Sequence, residues 1–194
     1  DVYWELLRSQ KRKVVSEIER RERKLVTEHG PLTFEMQSAA PAQDLESLVA
    51  LKNAQYLRTG HDGGALLNPA NVQMLNHLLA SRDPLCLPRL SVLRCGEQLV
   101  AGHFGLQCGP LLHYWFPAYD NRLAAYSPGR VLYRHILSKA RDYGVACIDH
   151  GEGDSVAKRD FANDEHQYLK GLVSASPWGK GLSLIQRARW RFAI

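Results

Sequence analysis

Apolar residues along this chain change their spacing several times, and each change marks an element. Over residues 1–29, Val14, Ile18, Leu25 and Val26 form a loose stripe at helical spacing in an otherwise charged segment. That predicts one long helix, stopped by Gly30 and Pro31. Leu32, Phe34 and Met36 then alternate with polar neighbours, as a strand does. Residues 43–59 return to helical spacing through Leu45, Leu48, Val49, Leu51, Lys52 and Tyr56, up to Gly60. After the loop His61-Asp62-Gly63-Gly64, a second helix begins with Asn68 as N-cap and Pro69 as first helical residue. It buries Val72, Leu75, Leu78 and Leu79 and breaks at Asp83 and Pro84.

Strands are predicted next at about 88–95 and 98–107, joined by a tight turn over Cys95-Gly96-Glu97-Gln98. Gly109 and Pro110 turn the chain into a third strand, 111–116, which completes an antiparallel meander. A helix over 128–143 keeps Leu132, Ile136, Ala140 and Tyr143 on one stripe and closes at Gly144. The strand after it, 145–149, is apolar until Asp149. Strand, helix and strand here make a βαβ crossover. A short helix near 155–162, a strand near 166–173 and a helix around 181–192 finish the chain. The expected fold is therefore α/β, with a mixed, mostly antiparallel sheet, a central crossover and flanking helices. The expected division is a basic helix over 1–30, the domain proper over 31–175 and a basic helix over 176–194.

The crossover helix has an unusual start. Ser127 suits N-cap, Pro128 suits N1, and Gly129 at N2 lets another molecule approach the backbone. Arg130 stands at N3, where a capping box would have Glu or Gln. Open N–H groups, the positive dipole end and an Arg make an anion seat. The plainer reading is ordinary helix capping.

Composition narrows the class. At 194 residues the chain suits one domain with a real core, and no apolar run approaches the roughly 18 residues that span a bilayer. No signal peptide opens the chain, and the absence of an initiator Met suggests a domain cut from a longer protein. Cys86, Cys95, Cys108 and Cys147 form no Cys-x-x-Cys pair, which points to a reduced, cytoplasmic protein without a zinc site. The net charge of +5 is uneven: residues 1–29 carry eight Lys and Arg against six acids. Such a face attracts phosphate nonspecifically. A solvated helix with pairs such as Glu17–Arg21 accounts for it as well, and no nucleic-acid module accompanies the charge.

The element order resembles the GNAT (Gcn5-related N-acetyltransferase) fold. Leu112-His113-Tyr114-Trp115-Phe116-Pro117-Ala118-Tyr119-Asp120, Tyr126-Ser127-Pro128-Gly129, Ile148-Asp149-His150-Gly151-Glu152-Gly153-Asp154 and Lys158-Arg159-Asp160-Phe161 resemble its CelD-like branch. That branch is associated with cellulose and exopolysaccharide biosynthesis and is related to FemAB-type transferases. Two departures stand out. The usual phosphate loop Q/R-x-x-G-x-G/A is replaced by Ser127-Pro128-Gly129-Arg130, and Ala157 stands where the branch has Tyr before Lys158.

The resemblance implies a cytoplasmic acyl-CoA-dependent N-acyltransferase acting on an amino sugar, a polysaccharide precursor or another small amine. Acetyl-CoA or another acyl-CoA is the cosubstrate, with no metal and no membrane. It also implies, as alternatives, a FemAB-like aminoacyl-tRNA-dependent ligase with the first helix on tRNA, or a GNAT-shaped module that binds without catalysing. A second GNAT-like domain of the same protein is a possible partner. On this basis the cofactor runs along 111–117, bordered by His113, Trp115, Phe116 and Tyr119, to phosphate contacts at Ser127, Pro128, Gly129 and Arg130, with Arg122 a weaker contact. His103, between Gly102 and Gly105, is the expected base, its alternative being a core histidine. Asp149 is expected to be catalytic, its alternative being a cap for Gly151. Tyr119 and Tyr126 border the cofactor loop, and one of them, Tyr126 foremost, is the expected proton donor to the leaving thiolate, the alternative for either being aromatic packing. Glu152, Asp154 and Lys158 are expected to hold the acceptor.

Overall fold

The computed structural model describes residues 2–60 and 65–167 of the chain. Two units divide it, Asp1–Phe161 and Ala162–Ile194, and the account below concerns the first. The loop 61–64 and the C-terminal helix expected at 181–192 lie outside the described residues. So does the strand expected at 166–173, except positions 166 and 167, which carry no regular structure.

The N-terminal stretch is two helices where one was expected, α1 (Val2–Gln10) and α2 (Arg12–His29), broken at Lys11 with φ −132° and ψ 47°. The break folds α1 back on α2. Trp4 Nε1 donates to Glu19 Oε1 at 3.1 Å and Arg8 Nη2 to the same oxygen at 2.7 Å. In one continuous helix Trp4 and Glu19 would stand about 22 Å apart. The fold-back lets Trp4 and Leu7 join Val15, Ile18 and Leu25 in one core.

Five strands follow in spatial order β1 (Leu32–Glu35), β2 (Leu87–Cys95), β3 (Gln98–Cys108), β4 (Leu111–Tyr119) and β5 (Cys147–Asp149). All neighbours are antiparallel except β4 and β5, which the crossover helix α5 (Pro128–Lys139) makes parallel. Helices α3 (Pro41–Thr59) and α4 (Pro69–Ala80) cover one face, packing Leu45, Leu48 and Leu75 on Leu90, Phe104, Phe116 and Ala118. Helices α1, α2 and α5 cover the other, where Ile18, Leu132 and Ile136 meet Leu93, Val100, Ala101, Leu112 and Tyr114. Truncating a fully buried residue such as Leu48 or Ile136 to Ala would cost about 2–5 kcal/mol. As expected, Asn68 caps α4, its side chain accepting from Ala70 N at 3.0 Å. A short helix α6 (Val156–Phe161) ends the unit.

Two boundary differences create the opening described below. Strand β5 is only three residues long, and β4 runs on to Tyr119 instead of ending at 116. Between them lies a bulge. Phe104 pairs with Phe116 and Leu106 with His113, so Gly105 alone faces both Tyr114 and Trp115. The extra residue reverses the alternation of β4. Leu112 and Tyr114 enter the α1/α2/α5 core, whereas Phe116 and Ala118 enter the α3/α4 core.

Candidate functional site

Strands β4 and β5 pair at Leu111, Leu112 and His113 and then part, the last rung being His113 opposite Asp149. Beyond that fork the outer edge of β4 has no strand partner among the described residues. Asp120 N donates inward to Val100 O at 2.9 Å, so by alternation the main-chain groups of Pro117 and Tyr119 face the open edge. Proline is tolerated there because its missing N–H would have pointed away from the sheet. The Pro117 carbonyl accepts from Lys52 Nζ, on α3, at 3.0 Å. That ammonium lies 5.2 Å from the Tyr56 ring centroid, and burial lowers its pKa. Sequence reading gave Lys52 only a place in a helical stripe. Nothing in its local pattern announces a reach across to β4.

At the fork, His113 Nδ1 lies 3.2 Å from Asp149 Oδ2. The other carboxylate oxygen of Asp149 accepts from Gly151 N at 2.8 Å. Asp149 is thus both the loop cap and the orienting partner of an imidazole. Gly151 has φ 69°, and a Cβ there would stand 3.3 Å from His113 Cε1. Alternation from Leu112 and Tyr114 puts His113 on the α3/α4 face of the sheet. Its side chain is 40% exposed and that of Asp149 30%. A carboxylate fixing one nitrogen of a part-exposed imidazole is the arrangement of an oriented base.

His103 sits differently. It is fully buried, its ring stacked on Tyr114 with centroids 4.1 Å apart and planes 9° from parallel. Gly105 makes the space: a Cβ at that position would lie 2.6 Å from His103 Nε2. Neither ring nitrogen has a hydrogen-bond partner among the described residues. Burial, assisted by the charges of His113 and His150, pushes its pKa down to about 3. His103, the expected base, is thus sealed from solvent with a depressed pKa, whereas His113 lies part-exposed at the fork. The same internal cluster holds Tyr133 and His150, joined Oη to Nε2 at 2.7 Å, with Phe161 beside Tyr133. Burial raises both tyrosines, Tyr114 and Tyr133, and lowers His150.

The start of α5 also departs from expectation. Ser127 is left-handed, at φ 50° and ψ 53°, and its side chain makes no capping bond. Its Oγ accepts instead from the Arg21 guanidinium of α2. Its carbonyl takes Arg130 N at 2.9 Å and Val131 N at 3.2 Å. Gly129 N–H keeps no partner among the described residues, and a Cβ on Gly129 would touch Tyr119 Cδ1 at 3.5 Å. Arg130 turns away, its Nη2 held by Asp160 Oδ2 at 2.5 Å. The cation beside Ser127 is therefore Arg21, a residue 106 positions away in sequence and unreadable from the local motif.

The remaining expected residues are placed as follows. Tyr126 Oη donates to the Glu28 carboxylate, which raises the phenol's pKa, so its proton is committed to α2 and not to the fork. Phe116 is buried in the α3/α4 core against Phe104, so only its main chain can border a ligand. Trp115 is 41% exposed, Tyr119 is half-buried beside Gly129, and Pro128 is buried. Lys158 Nζ folds back on the Gly151 and Glu152 carbonyls and clamps the loop. Asp154 pairs with Arg159, and Glu152 is exposed. Arg122 is held on Asp120 at 2.6 Å, which lowers the pKa of that carboxylate. Among the described residues no cluster of His, Cys, Asp and Glu is arranged to hold a metal ion, and no helix is long and apolar enough to cross a membrane.

Comparison with known proteins bears on this geometry. Residues 12–159 match the family described as acetyltransferase (GNAT) domain. The fold is similar to that of an aminoglycoside acetyltransferase, meta-AAC0020, from an uncultured soil metagenomic sample, solved in complex with sisomicin. The TM-score is 0.52 at 14% identity, covering 78% of this chain and 99% of that one. Glucosamine-6-phosphate N-acetyltransferase from Arabidopsis thaliana aligns at TM-score 0.46 and 11% identity, covering 74% and 99%. No curated protein sequence matches the chain.

Proposed function

Since this chain belongs to the GNAT acetyltransferase domain family, whose members use acetyl-CoA as cosubstrate, we propose that it acylates the amine of an amino sugar or similar small polar acceptor. One observation carries the reading: the fork between β4 and β5, with the His113–Asp149 pair at its base. An extended amide-bearing linker satisfies its polar groups by adding to an open strand edge, and β4 offers one. The residues fit an acyl-CoA. Gly129 N–H and the Arg21 guanidinium stand where a pyrophosphate would follow, at the start of α5. Acetyl-CoA, when bound, would supply the thioester. Lys52, at the Pro117 carbonyl, adds N–H donors beside that path.

In this reading His113 Nε2 takes the proton of the attacking amine, while Asp149 holds Nδ1 and fixes the orientation of the ring. Glu152, on the loop after Asp149, draws a cationic acceptor toward the fork. The motifs over 112–161 support a place near the CelD-like branch, and hence a saccharide precursor as acceptor. The tRNA-dependent alternative draws less support. Arg8, Arg20 and Lys24 of the basic helices are paired with Glu5, Glu17, Glu19 and Glu28, so part of that charge is neutralised within the helices themselves.

The test is thiol release from acetyl-CoA in the presence of amino sugars and aminoglycosides. Release that depends on the amine supports the proposal. His113→Asn should lower kcat by about 10²–10⁴-fold with acetyl-CoA affinity kept. Binding of acetyl-CoA with no amine-dependent release would mark a module that binds without catalysing. A His113→Asn variant at full rate would remove the pair from the mechanism.

A further inference from the structure

We propose that Cys86 and Cys108 are a site of reversible disulfide formation, a covalent staple across the ends of β2 and β3. The register leads to it. Leu87 pairs with Gln107, so one step further along the same ladder Cys86 stands opposite Cys108. The two sulfurs are 3.0 Å apart, about 1 Å beyond a disulfide bond. Both thiols are free; Cys108 is exposed and Cys86 is partly so. The other two cysteines are placed differently. Cys95 is buried, with its thiol on the His29 carbonyl at 2.8 Å, and Cys147 lies on β5, paired with Leu111.

The chemistry is thiol–disulfide exchange with a low-molecular-weight disulfide such as glutathione disulfide. The thiolate of Cys108, the more accessible of the pair, attacks one sulfur of the oxidant, and one glutathione leaves as thiolate. The Cys86 thiolate then attacks Cys108 Sγ of the mixed disulfide, releasing the second glutathione. The two cysteines are oxidised and the oxidant is reduced to two thiols, the protons given up by the cysteines being taken up by the two departing glutathione thiolates. The staple would fix the β3–β4 turn, whose Pro110 carbonyl accepts from Ala146 N at 2.8 Å and Cys147 N at 3.1 Å where the chain enters β5. It would therefore tighten the closed end of the fork.

The native chain is treated with glutathione disulfide, its thiols are counted, and its peptides are mapped without reduction. The expected result is a fall from four thiols to two, with the linked peptide joining Cys86 to Cys108, reversed by dithiothreitol. Cys86→Ser should stop at a glutathione adduct on Cys108. If that variant does not fold, Cys108→Ser serves, with Cys86 left unlinked. Retention of four thiols, or a link from Cys108 to Cys147, would overturn the proposal.

Discussion

His103 and His113 compete for the role of base, and His103→Leu separates them. In the folded chain His103 is neutral with a pKa near 3, against 6.5 for an exposed imidazole. Its pKa is depressed on folding, so below 6.5 the unfolded chain binds a proton that the native chain excludes. The resulting stability is fully present above pH 6.5 and is lost as pH falls toward 3. At one pKa unit per 1.36 kcal/mol, the loss between pH 7.5 and pH 5 is about 2 kcal/mol. Leucine is of similar volume, removes two unpartnered buried nitrogens and gives up the stack on Tyr114, worth about 0.5–1.5 kcal/mol. At pH 7.5 variant and wild type should therefore differ little. At pH 5 the leucine variant should be more stable by about 2 kcal/mol, since all other titrations are shared. Urea unfolding at both pH values measures this, and acyl transfer by the variant should persist. A stability difference that stays flat with pH would mean that the native protein protonates His103. Loss of activity in a folded variant would return it to the mechanism.

Two further perturbations address the cofactor side. Arg21→Ala should weaken acetyl-CoA binding by about 1–3 kcal/mol, the worth of a charge-assisted hydrogen bond, because its Nη1 reaches Ser127 at the helix start while Glu17 holds only its Nε. Arg130→Ala should weaken it less because its Nη2 is drawn onto Asp160. Isothermal titration compares them, and an inverted order would move the phosphate to Arg130. Lys52→Met should raise the KM for acetyl-CoA with melting nearly unchanged. An unchanged KM would show that the ammonium serves only the Pro117 carbonyl.

How much of this was legible beforehand follows from the range of each interaction. The cap at Asn68, the stop at Gly60 and the meander turns are local, and each appears where the residues place it. The break at Lys11 is not local. It exists because Trp4 and Leu7 reach the α5 side of the core only if α1 folds back, and the apolar stripe alone reads straight through. His103 and His113 are both strand histidines, and period alone assigns neither to cleft or core. The deciding fact is the bulge opposite Gly105, which involves three residues on two strands. Arg21 at Ser127 and Lys52 at Pro117 are likewise long-range meetings of side chains with main-chain or hydroxyl partners. Asp149 ends its strand where the sequence places it, because an apolar run turning acidic is a local signal.

The bulge in β4 also decides whether the fork can ever close. Were β4 to alternate regularly through the same residues, Phe116 and Ala118 would fall on the same side as Leu112 and Tyr114, and the α3/α4 layer would lose its Phe104–Phe116 stack. Emptying a buried phenylalanine site costs about 3–5 kcal/mol. Zipping β5 further along a regularised β4 would return only a few hydrogen bonds, each worth about 0.5–1.5 kcal/mol net. The gap is thus a phase dislocation pinned by two cores that each claim a different half of one strand. It stands open as a consequence of how the domain is packed, independent of any ligand.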